Sequence, residues 1–484
     1  MASSKAAGTS ALVSVAYAAI AYLFHEYAPE AYMDEIFHFP QTQQYCNGHW
    51  GTLFTFKDGL KLQLDAWDNK ITTFPGLYVF GVGYANVIHI IQTFLVSIRI
   101  TFCSLAVLRT INLLFAMGNL YLILLLRQMK EYTHLEQSRA IIHGFMIAFF
   151  PINVFFSFLY YTDAAALFFV LLMYYLSLRS KQSRLRKGIF SLPNLASVLC
   201  GYIAVAIRQT NIIWVLFVLG SAIVDDIETT HEKHFFGIIL VKFIAFLLKD
   251  FFRLFKLFWP YISIVIAFST FLVVNGSITV GDKENHVAGF HVAQILYFIT
   301  IATAGFGLVC VFPVRLLAFL RDMASMFTSG PRRLLLSLIL IAALVFAIHR
   351  FSIVHPFLLA DNRHYTFYLW NRFFLKHELL KFVPLPLYMY AGWFLFKELR
   401  KVNTPLWLFV FGIAVSLVLI PTPLVEPRYY LVPYTLLHLH TPKQPMIPLL
   451  LTSATCLAVN AVTIYVYLFR PFTWVDGTIA RFMW

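Results

Sequence analysis

The stretch ALVSVAYAAIAYLFHEYAPEAYMDEIFH, residues 11–38, joins the first apolar run of the chain to two adjacent carboxylates, Asp34 and Glu35. If this run crosses a bilayer, the acidic pair lies where the chain leaves the membrane. Ionisable groups beside hydrocarbon are costly and usually mark a functional site. A carboxylate at the water-facing mouth of a membrane cavity is suited to accept a proton from a substrate hydroxyl group.

The composition of the 484-residue chain predicts an integral membrane protein. Hydrophobic residues make up 60% of it and charged residues only 12%, whereas soluble proteins carry about 25% charged residues. At roughly 20 residues for each crossing, the apolar runs predict roughly 12–14 transmembrane helices. No stretch remains for a large soluble domain, so we expect a single all-α polytopic unit over residues 1–484.

The formal net charge of +14 reflects membrane topology rather than binding to nucleic acid. Short loops rich in Lys and Arg stay in the cytosol. These loops are residues 127–139, 179–187, 315–333 and 397–401, and the opposite face then holds residues 25–99, 275–291, 355–381 and 421–428. Residues 75–96 are predicted to form a helix along that opposite face, with an ordinary second span as the alternative.

The five cysteines are Cys46, Cys103, Cys200, Cys310 and Cys456. They are scattered and show no CxxC spacing, so neither a disulfide framework nor a zinc site is predicted. Residues 280–291 contain two histidines and two carboxylates, but their spacing matches no standard metal-ligand motif. A polar loop covering a substrate mouth is favoured there over a metal site.

Polar and aromatic side chains in residues 25–73 are suited to bind a carbohydrate. The ring of Trp67 offers a flat surface for sugar C–H groups, while Asp68 and His38 offer hydrogen bonds to hydroxyl groups. The alternative for the tryptophan is an aromatic belt at the membrane interface. Such a belt gives no role to the acidic pair Asp34 and Glu35.

Cations in the later segments of the same face are suited to hold a phosphate, because Arg forms bidentate bonds with phosphate oxygens. Arg363 and Arg372, in a segment that also contains His364, could supply such bonds, and Arg208 and Arg428 place further charges among polar residues at helix ends. The alternative for these arginines is an anchor that snorkels to lipid headgroups at a helix end. The sequence contains no P-loop and no GxGxxG, HExxH or GxSxG motif.

Six segments carry a family resemblance when taken together. They are YMDEIFH (32–38), WDNKITTFPGLY (67–78), RQTNI (208–212), VGDK (280–283), HPFLLADNRHY (355–365) and EPRYY (426–430). The set resembles the dolichyl-phosphate-glucose-dependent alpha-1,2-glucosyltransferase family of N-glycan precursor assembly, in the family's order and over nearly the whole chain. Phe74 stands where the family pattern often has proline.

The resemblance implies a GT-C-type glycosyltransferase in the endoplasmic reticulum membrane, with helical lumenal loops, a lumenal active site and no metal or other cofactor. It implies dolichyl-phosphate glucose as donor and the diglucosylated, dolichyl-diphosphate-linked oligosaccharide as acceptor. The reaction would be the last step of precursor assembly and would invert the anomeric carbon. The lipid bilayer is the remaining expected partner, and no nucleic acid is expected.

Site residues follow from the resemblance and from the chemistry together. Asp34 is expected to be the base, because the family carboxylate occupies this exit from the first span, and Glu35 is the second choice, in a positioning role. A phosphate leaving group needs cationic stabilisation. The donor-phosphate candidates are Arg363, His364 and Arg428, with Arg208 and Lys283 weaker, and the acceptor candidates are His38, Trp67 and Asp68.

Two other classes of protein remain as alternatives. A multi-span transporter or channel-associated protein would thread charges along its spans, whereas these charges collect on one face. A membrane acyltransferase would need a buried catalytic histidine within a span, and His89, His143 and His349 are weak candidates for that role.

Overall fold

The protein is described here by a computed structural model, which covers residues 2–50, 55–57, 61–63, 67–95, 101–129, 134–187, 191–228 and 236–484. The described part of the chain is predominantly helical, which confirms the predicted all-α class. Antiparallel pairing joins strand β1 (Thr55–Lys57) to β2 (Lys61–Gln63), and β3 (Phe472–Thr473) to β4 (Ile479–Ala480).

The described helices are numbered in chain order. The earlier ones are α1 (Ala2–Tyr27), α2 (Glu35–Cys46), α3 (Gly76–Leu95), α4 (Leu105–Gln128), α5 (His134–Ala148), α6 (Pro151–Phe155), α7 (Thr162–Lys187), α8 (Leu192–Ile207), α9 (Asn211–Glu228), α10 (Phe236–Lys249) and α11 (Phe251–Asn275). The later ones are α12 (Ala293–Ala304), α13 (Leu308–Val311), α14 (Pro313–Thr328), α15 (Pro331–Phe351), α16 (Pro356–Ala360), α17 (Tyr365–Leu369), α18 (Leu385–Leu399), α19 (Pro405–Leu419), α20 (Leu431–Leu439) and α21 (Met446–Phe469).

Eight of the described helices are long and apolar enough to cross a membrane, and a ninth span results if the bent pair Glu136–Ala148 and Pro151–Phe158 counts as one. The multi-pass prediction is therefore confirmed, but the predicted 12–14 crossings exceed this count. The difference arises because turns divide several apolar runs into helices shorter than the roughly 20 residues of a full crossing. These shorter helices are Leu192–Ile207, Ala293–Ala304 and Pro405–Leu419.

Helix α3 covers the segment whose placement the sequence left open. By length and composition its residues Gly76–Phe94 are sufficient for a span. The helix begins against the end of α8, where a Cβ atom on Gly76 would lie 2.4 Å from the carbonyl oxygen of Ala206. Only glycine allows the two backbones to approach this closely.

The chain divides into two compact units. The first contains residues 1–126, 156–287 and 409–414, and the second contains residues 127–155, 288–408 and 415–484. The expectation of a single unit over residues 1–484 stays a prediction.

In the first unit, α4 anchors the turn that precedes α7. The side-chain amide of Asn112 donates hydrogen bonds to the carbonyl oxygens of Leu159 (2.6 Å) and Tyr161 (2.7 Å). The ring of Phe24, near the end of α1, stacks on Phe158 of the same turn with centroids 5.1 Å apart. Breaking these bonds would leave buried polar groups unpaired, which is costly. The bonds therefore fix the turn before α7 against α4, next to the end of α1.

In the second unit, buried polar side chains hold the end of α20. The Nη1 group of Arg127 donates to the carbonyl oxygens of Leu439 (3.1 Å) and Thr441 (3.0 Å). The Nε2 atom of His438 lies 3.0 Å from the carbonyl oxygen of Ala302, to which it donates. The last carbonyl groups of a helix lack hydrogen-bond donors within the helix. At the end of α20, Arg127 supplies these donors.

Candidate active site

Asp34 lies in the short turn between α1 and α2, as the N-cap residue of α2. The residue before it, Met33, has a φ of +56°, in the left-handed region that non-glycine residues rarely adopt. The backbone N–H of Asp34 donates to the hydroxyl oxygen of Tyr161 at 3.1 Å. Its carboxylate is half-buried and interacts electrostatically with the hydroxyl of Tyr78. A strained turn therefore presents the carboxylate that the sequence singled out.

Glu35, the second member of the acidic pair, is completely buried. Its Oε1 accepts bonds from Nε of Arg109 (2.8 Å) and from the backbone N–H of Tyr160 (2.6 Å). Its Oε2 accepts bonds from Nη2 of Arg109 (2.5 Å) and from the backbone N–H of Tyr32 (3.1 Å). A carboxylate engaged on both oxygens is suited to hold structure rather than to take a substrate proton, which favours the positioning role over the catalytic one.

Arg109 of α4 is the residue that the sequence analysis missed. Besides its two bonds to Glu35, it donates to the carbonyl oxygens of Ala28 (2.7 Å) and Glu30 (3.0 Å). One guanidinium group thus binds two carbonyl groups of the segment that connects α1 to α2 and the first residue of α2. The signal was present, because a lone arginine within the apolar run 105–126 is costly and needs a partner.

Cys46 and Cys103 form a disulfide bond, which corrects the expectation that no disulfide is present. The two residues are 57 positions apart and share no motif spacing, so sequence alone gave no reason to pair them. Cys46 ends α2, the helix that Asp34 caps, and Cys103 lies two residues before α4, the helix that carries Arg109. The disulfide bond and the Glu35–Arg109 ion pair therefore join the same two helices.

Replacing Cys46 or Cys103 with serine is expected to destabilise the first unit by about 2–4 kcal/mol, since the bond closes a long loop. Both single variants and the double variant should show the same loss in thermal unfolding in detergent, and Cys456→Ser, at a free thiol, is the control. Thiol labelling of the denatured protein should find Cys200, Cys310 and Cys456 before reduction and all five cysteines after it. Five reactive thiols without a reductant would contradict the bond.

The acceptor candidates occupy three different environments. Asp68 is exposed, and its Oδ1 accepts a bond from the backbone N–H of Lys70 at 2.9 Å. Trp67 is buried, and its indole N–H donates to the carbonyl oxygen of Ile71 at 3.3 Å. His38 is buried with Nδ1 2.6 Å from the Tyr78 hydroxyl. Of the three, Asp68 exposes its carboxylate at the protein surface, whereas the side chains of Trp67 and His38 are buried and bond to neighbouring residues.

Four of the six family-like segments come together in the first unit. The backbone N–H groups of Val280 and Gly281 donate to the carbonyl oxygens of Thr72 (3.1 Å) and Ile71 (3.0 Å). The side-chain amide of Gln209 donates to the same Thr72 carbonyl at 2.7 Å. Segments 67–78, 208–212 and 280–283 thus form one layer. Segment 32–38 joins it because Nδ1 of His38 lies 2.6 Å from the hydroxyl of Tyr78.

The two weaker phosphate candidates also lie in this unit. Arg208 pairs with the buried carboxylate of Asp163 at the start of α7. Lys283 is exposed, and its ammonium group donates to the carbonyl oxygen (2.8 Å) and to Oδ1 (3.0 Å) of Asn275. Arg208 therefore has a structural partner of opposite charge, whereas Lys283 carries its charge at the surface.

The second unit holds Arg363 and His364 in one cluster with Asp361. Arg363 forms a bidentate ion pair with Asp361, with Nε–Oδ1 at 2.8 Å and Nη2–Oδ2 at 2.7 Å, and His364 Nε2 is 3.6 Å from Asp361 Oδ2. Burial raises the pKa of the Asp361 carboxyl, but the hydrogen bonds from Arg363 outweigh it, so that pKa lies below its ordinary value. The carboxylate is ionised at neutral pH and fixes the fork of the guanidinium group.

Arg428, also in the second unit, is paired with Glu426. Gln294 binds the segment around Arg428 at two points. Its side-chain N–H donates to the carbonyl oxygen of Leu424 at 2.8 Å, and its Oε1 accepts a bond from the Tyr430 hydroxyl at 2.5 Å. Sequence analysis gave Gln294 no role, since a lone amide at the start of an apolar helix carries no motif.

His291, part of the loop that invited a metal interpretation, binds the same segment. Burial lowers its pKa to about 4, and hydrogen bonds to the carbonyl groups of Pro423 and Thr422 offset this only in part. The imidazole is therefore neutral at physiological pH, and its Nδ1 donates to Pro423 at 3.0 Å. Within the described residues, no group of three or more His, Cys, Asp or Glu side chains is placed to hold a metal ion.

Fold and site define the class of this protein as a multi-pass, all-α membrane protein with carboxylate and cation clusters in the segments between its helices. Its sequence matches the DIE2/ALG10 family over residues 28–439. The chain belongs to the DIE2/ALG10 family, which confirms the resemblance.

Curated relatives cover nearly the whole chain. A relative from Rattus norvegicus is 36% identical over 477 residues, which cover 94% of this chain and 93% of the relative. Relatives from Homo sapiens (33% over 476 residues, 94% and 93%) and Arabidopsis thaliana (30% over 536 residues, 98% and 99%) are also similar. All three are named Dol-P-Glc:Glc(2)Man(9)GlcNAc(2)-PP-Dol alpha-1,2-glucosyltransferase. No solved structure matches the chain.

Proposed function

We propose that this chain transfers the terminal glucose from dolichyl-phosphate glucose to the diglucosylated, dolichyl-diphosphate-linked oligosaccharide, forming an alpha-1,2 linkage with inversion as the last step of N-glycan precursor assembly. Family membership supports the substrates and the reaction, because relatives of nearly full length are named for them. The observation that carries the chemistry is the half-buried carboxylate of Asp34, held in a strained turn by the buried Glu35–Arg109 pair.

Asp34 acts as the general base in this proposal. The acceptor hydroxyl oxygen attacks C1 of glucose while its proton passes to the Asp34 carboxylate. The bond from C1 to the phosphate oxygen breaks, and its electron pair leaves with dolichyl phosphate. Because inversion produces the alpha linkage, the donor glucose is beta-linked. A positioned base of this kind contributes roughly 10²–10⁴-fold to the rate.

The departing phosphate is stabilised by cations rather than protonated by a general acid. Arg363, His364 and Arg428 are the first candidates for this role, and Arg208 and Lys283 are the weaker ones. Arg363 is oriented by Asp361 and Arg428 by Glu426 before any substrate binds. Charge that is oriented in advance costs no reorganisation when the phosphate charge develops.

The acceptor sugar is bound beside Asp34 by the layer that contains Asp68. The exposed Asp68 carboxylate accepts hydrogen bonds from sugar hydroxyl groups, and the buried Trp67 and His38 hold the segments that present it. The ring of Trp67 is buried and is not the open platform that the sequence suggested.

The active site faces the lumen of the endoplasmic reticulum in this proposal. Disulfide bonds persist in oxidising compartments and are rare in the cytosol. Cys46 belongs to the helix that Asp34 caps, so its bond to Cys103 supports the lumenal placement of Asp34. The net positive loops of the opposite face agree with it.

The function is tested with the purified full-length protein in liposomes, given labelled dolichyl-phosphate glucose and the diglucosylated lipid-linked acceptor. We expect a triglucosylated product whose new linkage is alpha-1,2 by linkage analysis. The matched control is the same acceptor without its two glucoses, which should receive little label.

The same liposomes separate the enzyme from a carrier. Movement of labelled donor across the bilayer without transfer to the acceptor would favour the transporter alternative and contradict the proposal. Transfer with retention at the anomeric carbon would contradict the mechanism while leaving the substrates intact.

A further inference from the structure

A C-terminal hairpin, residues 471–484, packs on the segment that contains Arg363 and His364. Strands β3 and β4 form the hairpin, and its turn is closed by bonds from the backbone N–H of Thr478 (3.0 Å) and from its hydroxyl (2.7 Å) to the carboxylate of Asp476. Arg481 anchors it by donating to the carbonyl oxygens of Tyr467 (2.8 Å) and Leu468 (3.0 Å) at the end of α21. The hairpin is thus an ordered structure with its own internal bonds.

The hairpin contacts residues 362–365 through both backbone and side chains. The indole N–H of Trp474 donates to Oδ1 of Asn362 at 3.0 Å, and the backbone N–H of Met483 donates to the carbonyl oxygen of Arg363 at 3.0 Å. The Nδ1 atom of His364 donates to the main-chain oxygen of Trp484 at 2.7 Å. Three consecutive residues of the cluster therefore each bind the hairpin.

The ring of Trp474 also sets the plane of Arg363. The guanidinium carbon of Arg363 lies 4.7 Å from the centre of this ring. Asp361 fixes the edge of the guanidinium group through two in-plane bonds, and the tryptophan covers its face. Together the two contacts define both the direction and the tilt of a side chain that would otherwise sample many rotamers.

We propose that the C-terminal hairpin is a positioning element of the donor-phosphate site, with Trp474 acting through Arg363. This inference rests on the proposed function, in which Arg363 stabilises the donor phosphate. A cation–π contact at a partly desolvated site is strong enough to change binding about tenfold. If this contact orients Arg363 for the donor phosphate, removing the contact weakens donor binding and leaves acceptor binding unchanged.

The test compares Trp474 variants in the liposome assay. Trp474→Ala is expected to raise the KM for dolichyl-phosphate glucose about tenfold, with the acceptor KM unchanged. Trp474→Phe, which keeps a ring over the guanidinium group, should retain a donor KM within about threefold of the wild type. Val475→Ala is the matched control, because Val475 is fully exposed on the same hairpin.

Two further variants keep the result interpretable if Trp474→Ala does not fold. Trp474→Leu keeps apolar bulk but lacks the aromatic face, and it should raise the donor KM in the same way. In an Arg363→Ala background, the Trp474 change should have no further effect on the donor KM, because the residue through which it acts is gone.

The outcomes distinguish this inference from the proposed function. If Arg363→Ala raises the donor KM but no Trp474 variant does, the positioning role is refuted and the function stands. Equal rises in donor and acceptor KM would also refute it, since they indicate a general structural loss. If Arg363→Ala leaves the donor KM unchanged, the assignment of Arg363 to the phosphate is itself wrong.

Discussion

Asp34→Asn is expected to lower kcat for glucose transfer by about 10³-fold, within the range that loss of a positioned base produces. Asparagine keeps the shape of the side chain but cannot take the acceptor proton. The Asp34 side chain makes no capping bond to α2, so the helix should not be weakened, and the KM values for both substrates should change little. The measurement is initial-rate kinetics in liposomes. Rates are normalised to the amount of folded protein, which is determined by gel filtration before reconstitution.

The matched control for this change is Glu30→Gln. Glu30 is exposed on the same connecting segment, and its backbone carbonyl accepts a bond from Arg109. The variant removes the same charge four residues away and should keep kcat near the wild-type value. If Asp34→Asn is as active as Glu30→Gln, Asp34 is not the base. If Glu35→Gln alone abolished transfer in a folded protein, the two roles would have to be exchanged.

Arg109→Met is expected to destabilise the protein by about 3–5 kcal/mol, because it leaves the buried Glu35 carboxylate without its counter-charge. The side chains of this pair are only 8% and 0% exposed. Arg253→Met, the same substitution in the more exposed pair of Arg253 and Asp226, is the control and should cost at most about 1 kcal/mol. Thermal unfolding in detergent compares the two.

The double variant Glu35→Met with Arg109→Met separates stability from positioning. Replacing both charges by apolar groups should restore much of the stability, since neither charge is then left unpaired in the interior. Transfer should stay at least about tenfold below wild type, because the carbonyl groups of Ala28 and Glu30 have also lost their donor and the turn before Asp34 is released. Wild-type kcat in a stable double variant would show that Asp34 does not depend on this pair.

The sequence predicted those features that local composition encodes. The membrane class follows from apolar runs, and Asp34 was proposed because a carboxylate beside hydrocarbon is unusual. Arg363 and His364 were proposed in the same way, as polar side chains clustered between apolar helices. The structure adds that each of these two side chains contacts the carboxylate of Asp361, a neighbour within the same motif.

Features that depend on distant partners were not predicted. Arg109 was visible as a lone charge, but its partner Glu35 is 74 residues away. The Cys46–Cys103 bond and the packing of Trp474 on Arg363 also join positions far apart in the chain. Trp67 shows how an aromatic residue beside polar groups fits two roles, because it was proposed to contact the acceptor sugar, and the structure buries its ring.

The crosslink between Cys46 and Cys103 also fixes the parity of membrane crossings between them. Their Cα atoms are 6.5 Å apart, whereas the hydrocarbon core of a bilayer is about 30 Å thick, so both lie on one side. An even number of crossings must therefore separate them. Among the described residues between them, α3 is the one helix long enough to cross. We therefore expect helix α3 to stay on the side where α1 emerges, and α4 to enter the bilayer from that same side.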